Sequence, residues 1–137
     1  MKTESRTSNY MSIPMSVQFT DPRTLVLKVC SEFSMTFDTI REKTRTQDVL
    51  IPRQCMMKII YENFPWSQRQ VGLLFTKEGN KPFDHATVNH STAQIEQLLA
   101  IRDKKTCAVH ARIMTLISND LERNREYFPK QMRNKDK

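Results

Sequence analysis

Glycine is nearly absent. The 137 residues contain two, Gly72 and Gly79, so no glycine-rich loop is available to cradle a phosphate. Neither GxxxxGK[ST] nor GxGxxG occurs, and nucleotide binding is excluded on that ground. Cysteine is scarce: Cys30, Cys55 and Cys107 are odd in number and widely spaced, with no CxxC. That argues against a metal cluster and against a disulfide framework. All three neighbour apolar residues and read as reduced core thiols of a cytoplasmic protein. No apolar run approaches a membrane span, and no signal peptide opens the chain. The histidines His85, His90 and His110 lack metal-ligand spacing, and no nucleophile–base–acid set is visible. The chain is therefore not read as an enzyme, and neither a metal nor a cofactor is expected. No strand alternation persists, and there is no internal repeat or low-complexity tract.

Positive charge and helical periodicity are what the sequence does have. Lys and Arg number 22 against 15 Asp and Glu, a net charge of +7. Such a balance suits a polyanion, nucleic acid before anionic membrane; a merely soluble basic surface is the bland alternative. A hydrophobic content of 38% suffices for one domain with a modest core.

The periodicity predicts an all-α fold. Residues 1–20 are polar and aperiodic and read as a flexible arm. Asp21 and Pro22 look like an N-cap followed by proline at the first helical position, opening a helix over 22–33 with Leu25, Val26, Val29, Cys30 and Phe33 inward. A short helix over 38–43 follows. Pro52 then opens a helix over 52–63, with Cys55, Met56, Ile59, Ile60 and Phe64 as its stripe and Pro65 as its stop. Ser67 and Gln70 have capping-box spacing ahead of Val71, Leu74 and Phe75, a helix of about two turns. The loop 76–83 holds Gly79-Asn80 and Pro82. Asp84 caps a longer helix reaching about residue 103, with Val88, Ser91, Ile95, Leu98 and Leu99 on one face. Short helix, loop and longer helix make a helix-turn-helix pattern. Beyond it, 106–127 reads as one more amphipathic helix, capped by Thr106, with Ala108, Ala111, Met114, Ile117 and Leu121 on one side and Ile113 and Leu116 alongside. It pads the core or forms a surface for a dimer or a partner protein. Residues 129–137 form a basic tail.

Specific residues carry a resemblance. Gln47-Asp48-Val49-Leu50-Ile51-Pro52-Arg53-Gln54 is followed by Ser67, Val71-Gly72 and Phe75. Asp84-His85-Ala86-Thr87-Val88-Asn89-His90 comes next, then Gln94-Ile95-Glu96-Gln97-Leu98. In order and in most spacings this resembles the C-terminal DNA-binding domain of the bacterial replication initiator DnaA, of the Trp-repressor-like helix-turn-helix superfamily. The resemblance spans about residues 23–102. It implies a partner, double-stranded DNA, and a nucleoid-associated protein of replication initiation control or transcription regulation, for which a protein partner at 106–127 would be a replication protein. The initiator itself carries an ATPase module ahead of this domain. A chain of this length has no room for one, so ATP-driven origin melting is not expected of it.

A recognition helix reads bases with its first turns. The resemblance assigns that role to Asp84, His85, Ala86 and Thr87; the plain alternative for Asp84 is an N-cap. Arg53, Gln54 and His90 match positions that face the DNA backbone. Ser67 at its helix N-terminus, Arg69 in the same turn, and Lys77 and Lys81 in the loop are further phosphate contacts. Three departures from the family pattern stand out. Ile51 replaces the arginine that reads the minor groove, so that contact is either missing or supplied by another group such as Arg45. Phe83 replaces the arginine before the Asp-His pair, and the loop ahead of it is longer. The rival reading is a protein-interaction module on a helix-turn-helix scaffold that has lost specific DNA reading.

Overall fold

The Asp21 carboxylate accepts the Thr24 N–H at 2.8 Å, and Pro22 takes the first helical position, so the first helix, α1 (Pro22–Glu32), starts where its cap and proline require. The computed structural model describes residues 20–125, and five more helices follow there: α2 (Phe37–Ile40), α3 (Gln47–Asn63), α4 (Gln68–Leu74), α5 (His85–Ala100) and α6 (Lys104–Asn124). No strand occurs among the described residues. Most of the expected arm and the whole basic tail lie outside them.

α3 is the central element. It packs against α2, α4, α5 and α6, and burial runs around it rather than along one stripe. Ile51, Pro52, Arg53, Gln54 and Met57 are enclosed together with Cys55, Met56, Ile59 and Ile60. A helix covered on several sides loses the simple amphipathic pattern. It also starts earlier than Pro52, at Gln47. Proline inside the helix removes a single N–H bond, and the buried surroundings of Pro52 hold the turn without it. Lys105 Nζ, 3.1 Å from Asp48 Oδ1, ties the added turn to α6. α2 likewise begins at Phe37, because Thr36 rather than a later residue caps it through the Thr39 N–H at 3.0 Å.

α5 stops at Ala100, short of the expected end near 103. Arg102 adopts φ 61°, and the Asp103 N–H reaches back to the Leu98 carbonyl at 2.9 Å. This is the left-handed stop of a Schellman motif, made here by arginine instead of glycine. Asp103 then caps α6, accepting from the Thr106 N–H at 3.0 Å and the Thr106 hydroxyl at 2.6 Å. Thr106 is therefore the partner of the cap and not the cap itself.

α6 keeps Ile117 and Leu121 of the expected stripe but is rotated toward Ile113, which was expected alongside it. Ile113, Ile117 and Leu121 enter the core, while Ala108 and Ala111 face outward. Branched side chains bury more apolar area than alanine methyls, so the face carrying them wins. The helix packs on α1, α3 and α5, which makes it part of the core. Its buried Asp120 accepts from Lys28 Nζ at 2.6 Å and from the Thr20 hydroxyl at 2.9 Å. Asn124 Nδ2 donates to the Thr20 carbonyl at 2.7 Å.

Candidate nucleic-acid interface

α4, the loop after it and α5 form the helix-turn-helix. The capping box at Ser67 is complete: its hydroxyl accepts the Gln70 N–H at 3.2 Å, and Gln70 Oε1 accepts the Ser67 N–H at 2.8 Å. Val71 and Phe75 turn inward. Gly72 is required by a close approach. A Cβ there would lie 2.2 Å from the Phe83 carbonyl oxygen, so only glycine lets the end of the loop lie on α4. Thr76 fastens the same point, donating to the Gly72 carbonyl at 2.8 Å and accepting the Phe83 N–H at 3.0 Å. α5 then sits with Val88, Ser91 and Ile95 inward.

This seating turns the first turn of α5 out to solvent. His85, Ala86 and Thr87 are exposed. The Asp84 carboxylate is also exposed, with one oxygen accepting the Thr87 N–H at 2.8 Å. The Thr87 backbone bond and hydroxyl hold the Asp84 carboxyl below the usual carboxylate range, so it is anionic at neutral pH.

An open cleft of about 720 Å³ runs beside α5. Lys43, Arg45, Lys81, Asp84, Thr87 and His90 are among the residues at its wall. On the other flank, Ser67, Gln68, Arg69 and His85 line a shallower depression of about 250 Å³. The exposed turn of α5 is thus bordered on both sides by polar and cationic groups, and Asp84 is the only acid among the residues of the two borders.

The model of the bacterial DnaA protein helix-turn-helix matches residues 22–95, more than half of the chain. The chain belongs to the bacterial DnaA helix-turn-helix family. A curated relative, the chromosomal replication initiator protein DnaA of Deinococcus deserti, is 30% identical over 82 residues, which is 60% of this chain and 17% of that protein. The chain therefore spans about a sixth of the length of this relative. No solved structure matches it. The matched segment contains α1 to α4 and most of α5, and α6 lies beyond it.

Within this DnaA-type domain the structure sorts the expected site residues. Asp84, Thr87, Lys81 and His90 come together at the cleft. His85, Ser67 and Arg69 come together on the opposite border. Ala86 is exposed in the same turn of α5, and Lys77 is half-buried at the start of the loop.

Arg53 and Gln54 do not stand free as the resemblance implied. Arg53 is 4% exposed and Gln54 8%. The Arg53 guanidinium donates to the backbone carbonyls of Glu42, Ile40 and Thr44, and Gln54 Nε2 lies 3.4 Å from Ser91 Oγ. Their positions on the α3 face toward the α2–α3 connection and α5 turn them into internal ties. Ser67 also spends its hydroxyl and its N–H within its own helix start, leaving neither group free as drawn from the sequence. Ile51, where the family arginine would stand, is buried. Lys43 joins the expected residues at the cleft wall. Its signal was a cation in the polar run just ahead of α3, beside Arg45.

The thiols differ too. Burial pushes Cys30 up to about 11 and Cys55 up to about 12, whereas Cys107 is half-buried and not a core residue. Among the described residues, no group of His, Cys, Asp and Glu is arranged to hold a metal ion, and no helix is long and apolar enough to cross a membrane.

Proposed function

We propose that this chain binds double-stranded DNA in a sequence-dependent manner, with α5 in the major groove, and acts in the control of replication initiation. One observation carries the reading. The exposed first turn of α5, in a DnaA-type helix-turn-helix, is flanked by Lys43, Arg45, Lys81 and His90 on one side and by Arg69 on the other. Cations on both borders suit the two phosphate ridges of a groove, while the helix between them meets base edges.

Roles follow from chemistry. Anionic Asp84 suits a cytosine amino group, which its free oxygen can accept from. Thr87 offers a hydroxyl or a methyl group, His85 a ring N–H, and Ala86 a methyl for thymine. Lys43, Lys81, Arg69 and His90 hold phosphates, and Arg45, which lines the same cleft, takes over from the missing family arginine. Arg53 and Gln54 support this surface from within. The rival reading, a protein-interaction module that has lost specific DNA reading, draws on Ile51 and Phe83 at the two family arginine positions; against a partner docked on α6, Ile113, Ile117 and Leu121 of that helix are used in the core.

The test is fluorescence anisotropy with a duplex carrying a DnaA box and a scrambled duplex, each at two salt concentrations. Binding that is tighter to the box supports the reading. Asp84→Ala with His85→Ala then removes the preference while salt-dependent attraction remains. Equal binding to both duplexes refutes sequence dependence on this box and calls for random-site selection. No binding at low salt refutes DNA binding altogether.

A further inference from the structure

Phe83 occupies an unusual place at the mouth of the cleft. It immediately precedes Asp84, and two cations lie over its ring. The Arg53 guanidinium carbon lies 5.2 Å from the ring centroid and Lys43 Nζ lies 5.3 Å from it. Both cations also grip backbone. Arg53 donates to carbonyls of the connection between α2 and α3, at Ile40, Glu42 and Thr44. Lys43, on that same connection, donates to the Lys81 carbonyl of the α4–α5 loop at 2.7 Å. Two segments far apart in sequence, 42–46 and 76–84, therefore meet at one aromatic ring. Lys43 and Arg45 lie on the first, and Lys77 and Lys81 lie on the second.

We propose that Phe83 is a positioning residue of the DNA interface, coupling the α2–α3 connection to the loop that leads into α5. The inference rests on the DNA-binding reading and extends it. Because the ring face attracts cations, it fixes Lys43 and Arg53 without a competing acid, and an acid at this place would repel phosphate. The ring thereby sets the spacing between the cations of the cleft and the first turn of α5, so that both engage one duplex together. Phenylalanine organises the cations of its neighbours.

The test compares wild type with Phe83→Leu and Phe83→Tyr. Leucine keeps apolar bulk and loses the ring face, whereas tyrosine keeps the face. Expected are a Phe83→Leu affinity for duplex DNA at least tenfold weaker, a shallower salt dependence, and recovery in Phe83→Tyr. An unchanged affinity and salt slope in Phe83→Leu overturns the inference.

A second readout needs no DNA. In the protein alone, the Lys43 ε-methylene protons shift upfield under the ring in wild type and Phe83→Tyr. Amide exchange of residues 77–83 rises about tenfold in Phe83→Leu. Absence of the ring-current shift in wild type, or unchanged exchange, overturns the coupling even if Phe83→Leu is too unstable for binding assays. If wild type binds no duplex, the function fails while these two signals still decide the coupling.

Discussion

Replacing Arg53 by alanine separates a structural post from a DNA contact. In the structure the guanidinium is enclosed and donates to three backbone carbonyls, closely at Glu42 and at 3.4 and 3.5 Å for Ile40 and Thr44. Burial lowers its pKa from the ordinary value, yet arginine remains charged at neutral pH. A hydrogen bond from a charged donor contributes about 1.5–3 kcal/mol. The two long bonds count for less than the close one. The exposed Glu42 and half-buried Thr44 also let water take over part of the lost pairing. The net loss for Arg53→Ala is therefore about 2–3 kcal/mol once the lost contact with Phe83 is included. For a domain near 100 residues that lowers the melting temperature by roughly 10–20 °C. Circular dichroism at 222 nm during thermal and urea unfolding measures it. Arg53→Lys keeps the charge but cannot span three carbonyls, and falls between wild type and alanine. Unchanged melting together with lost DNA affinity would show the guanidinium facing outward and refute this reasoning.

Three further outcomes are expected. Gly72→Ala places a methyl 2.2 Å from the Phe83 carbonyl oxygen; it destabilises by about 2–3 kcal/mol in urea unfolding, and a neutral effect would mean that the loop does not rest on α4. Asp120→Asn weakens the junction of α1 and α6, and with Lys28 partly exposed the expected loss is about 1–2 kcal/mol at pH 7. Burial pushes the Asp120 carboxyl up, but the Lys28 and Thr20 bonds outweigh it and leave the folded value below the ordinary one. Its stabilisation is therefore present above roughly pH 4 and lost as pH falls through the folded value, so wild type and Asp120→Asn converge in acid, and a constant gap in urea midpoints between pH 7 and pH 3 speaks against it. A thiol reagent at pH 8 modifies Cys107 first, because Cys30 and Cys55 are buried with raised pKa values; equal rates for all three contradict the packing.

The local signals of the sequence were strong where one short stretch contains both partners of an interaction. The Asp21 and Asp84 caps and the Ser67–Gln70 capping box each need residues three apart, so spacing alone located the starts of α1, α4 and α5. The stop of α3 before Pro65 was legible for the same reason. The family was also readable in the order of its motifs. Boundaries failed where no residue type marked them. The extra turn of α3 ahead of Pro52 has a tie to α6, and the Schellman stop of α5 uses an arginine that no propensity marks.

Sequence by itself determined the helix content, the caps, the basic balance and the residues of the exposed α5 turn, since each depends on residue type and near neighbours. Only the tertiary structure decided which cations are enclosed and which stay at the surface. Arg53 and Lys43 look alike as charges in a sequence. Carbonyls of Ile40, Glu42 and Thr44 converge on Arg53 and enclose it, while Lys43 stays exposed at the cleft. The rotation of α6 was decided in the same way, by the space that α1, α3 and α5 leave for Ile113, Ile117 and Leu121. Burial depends on what the rest of the chain brings to a side chain, and that information is not local.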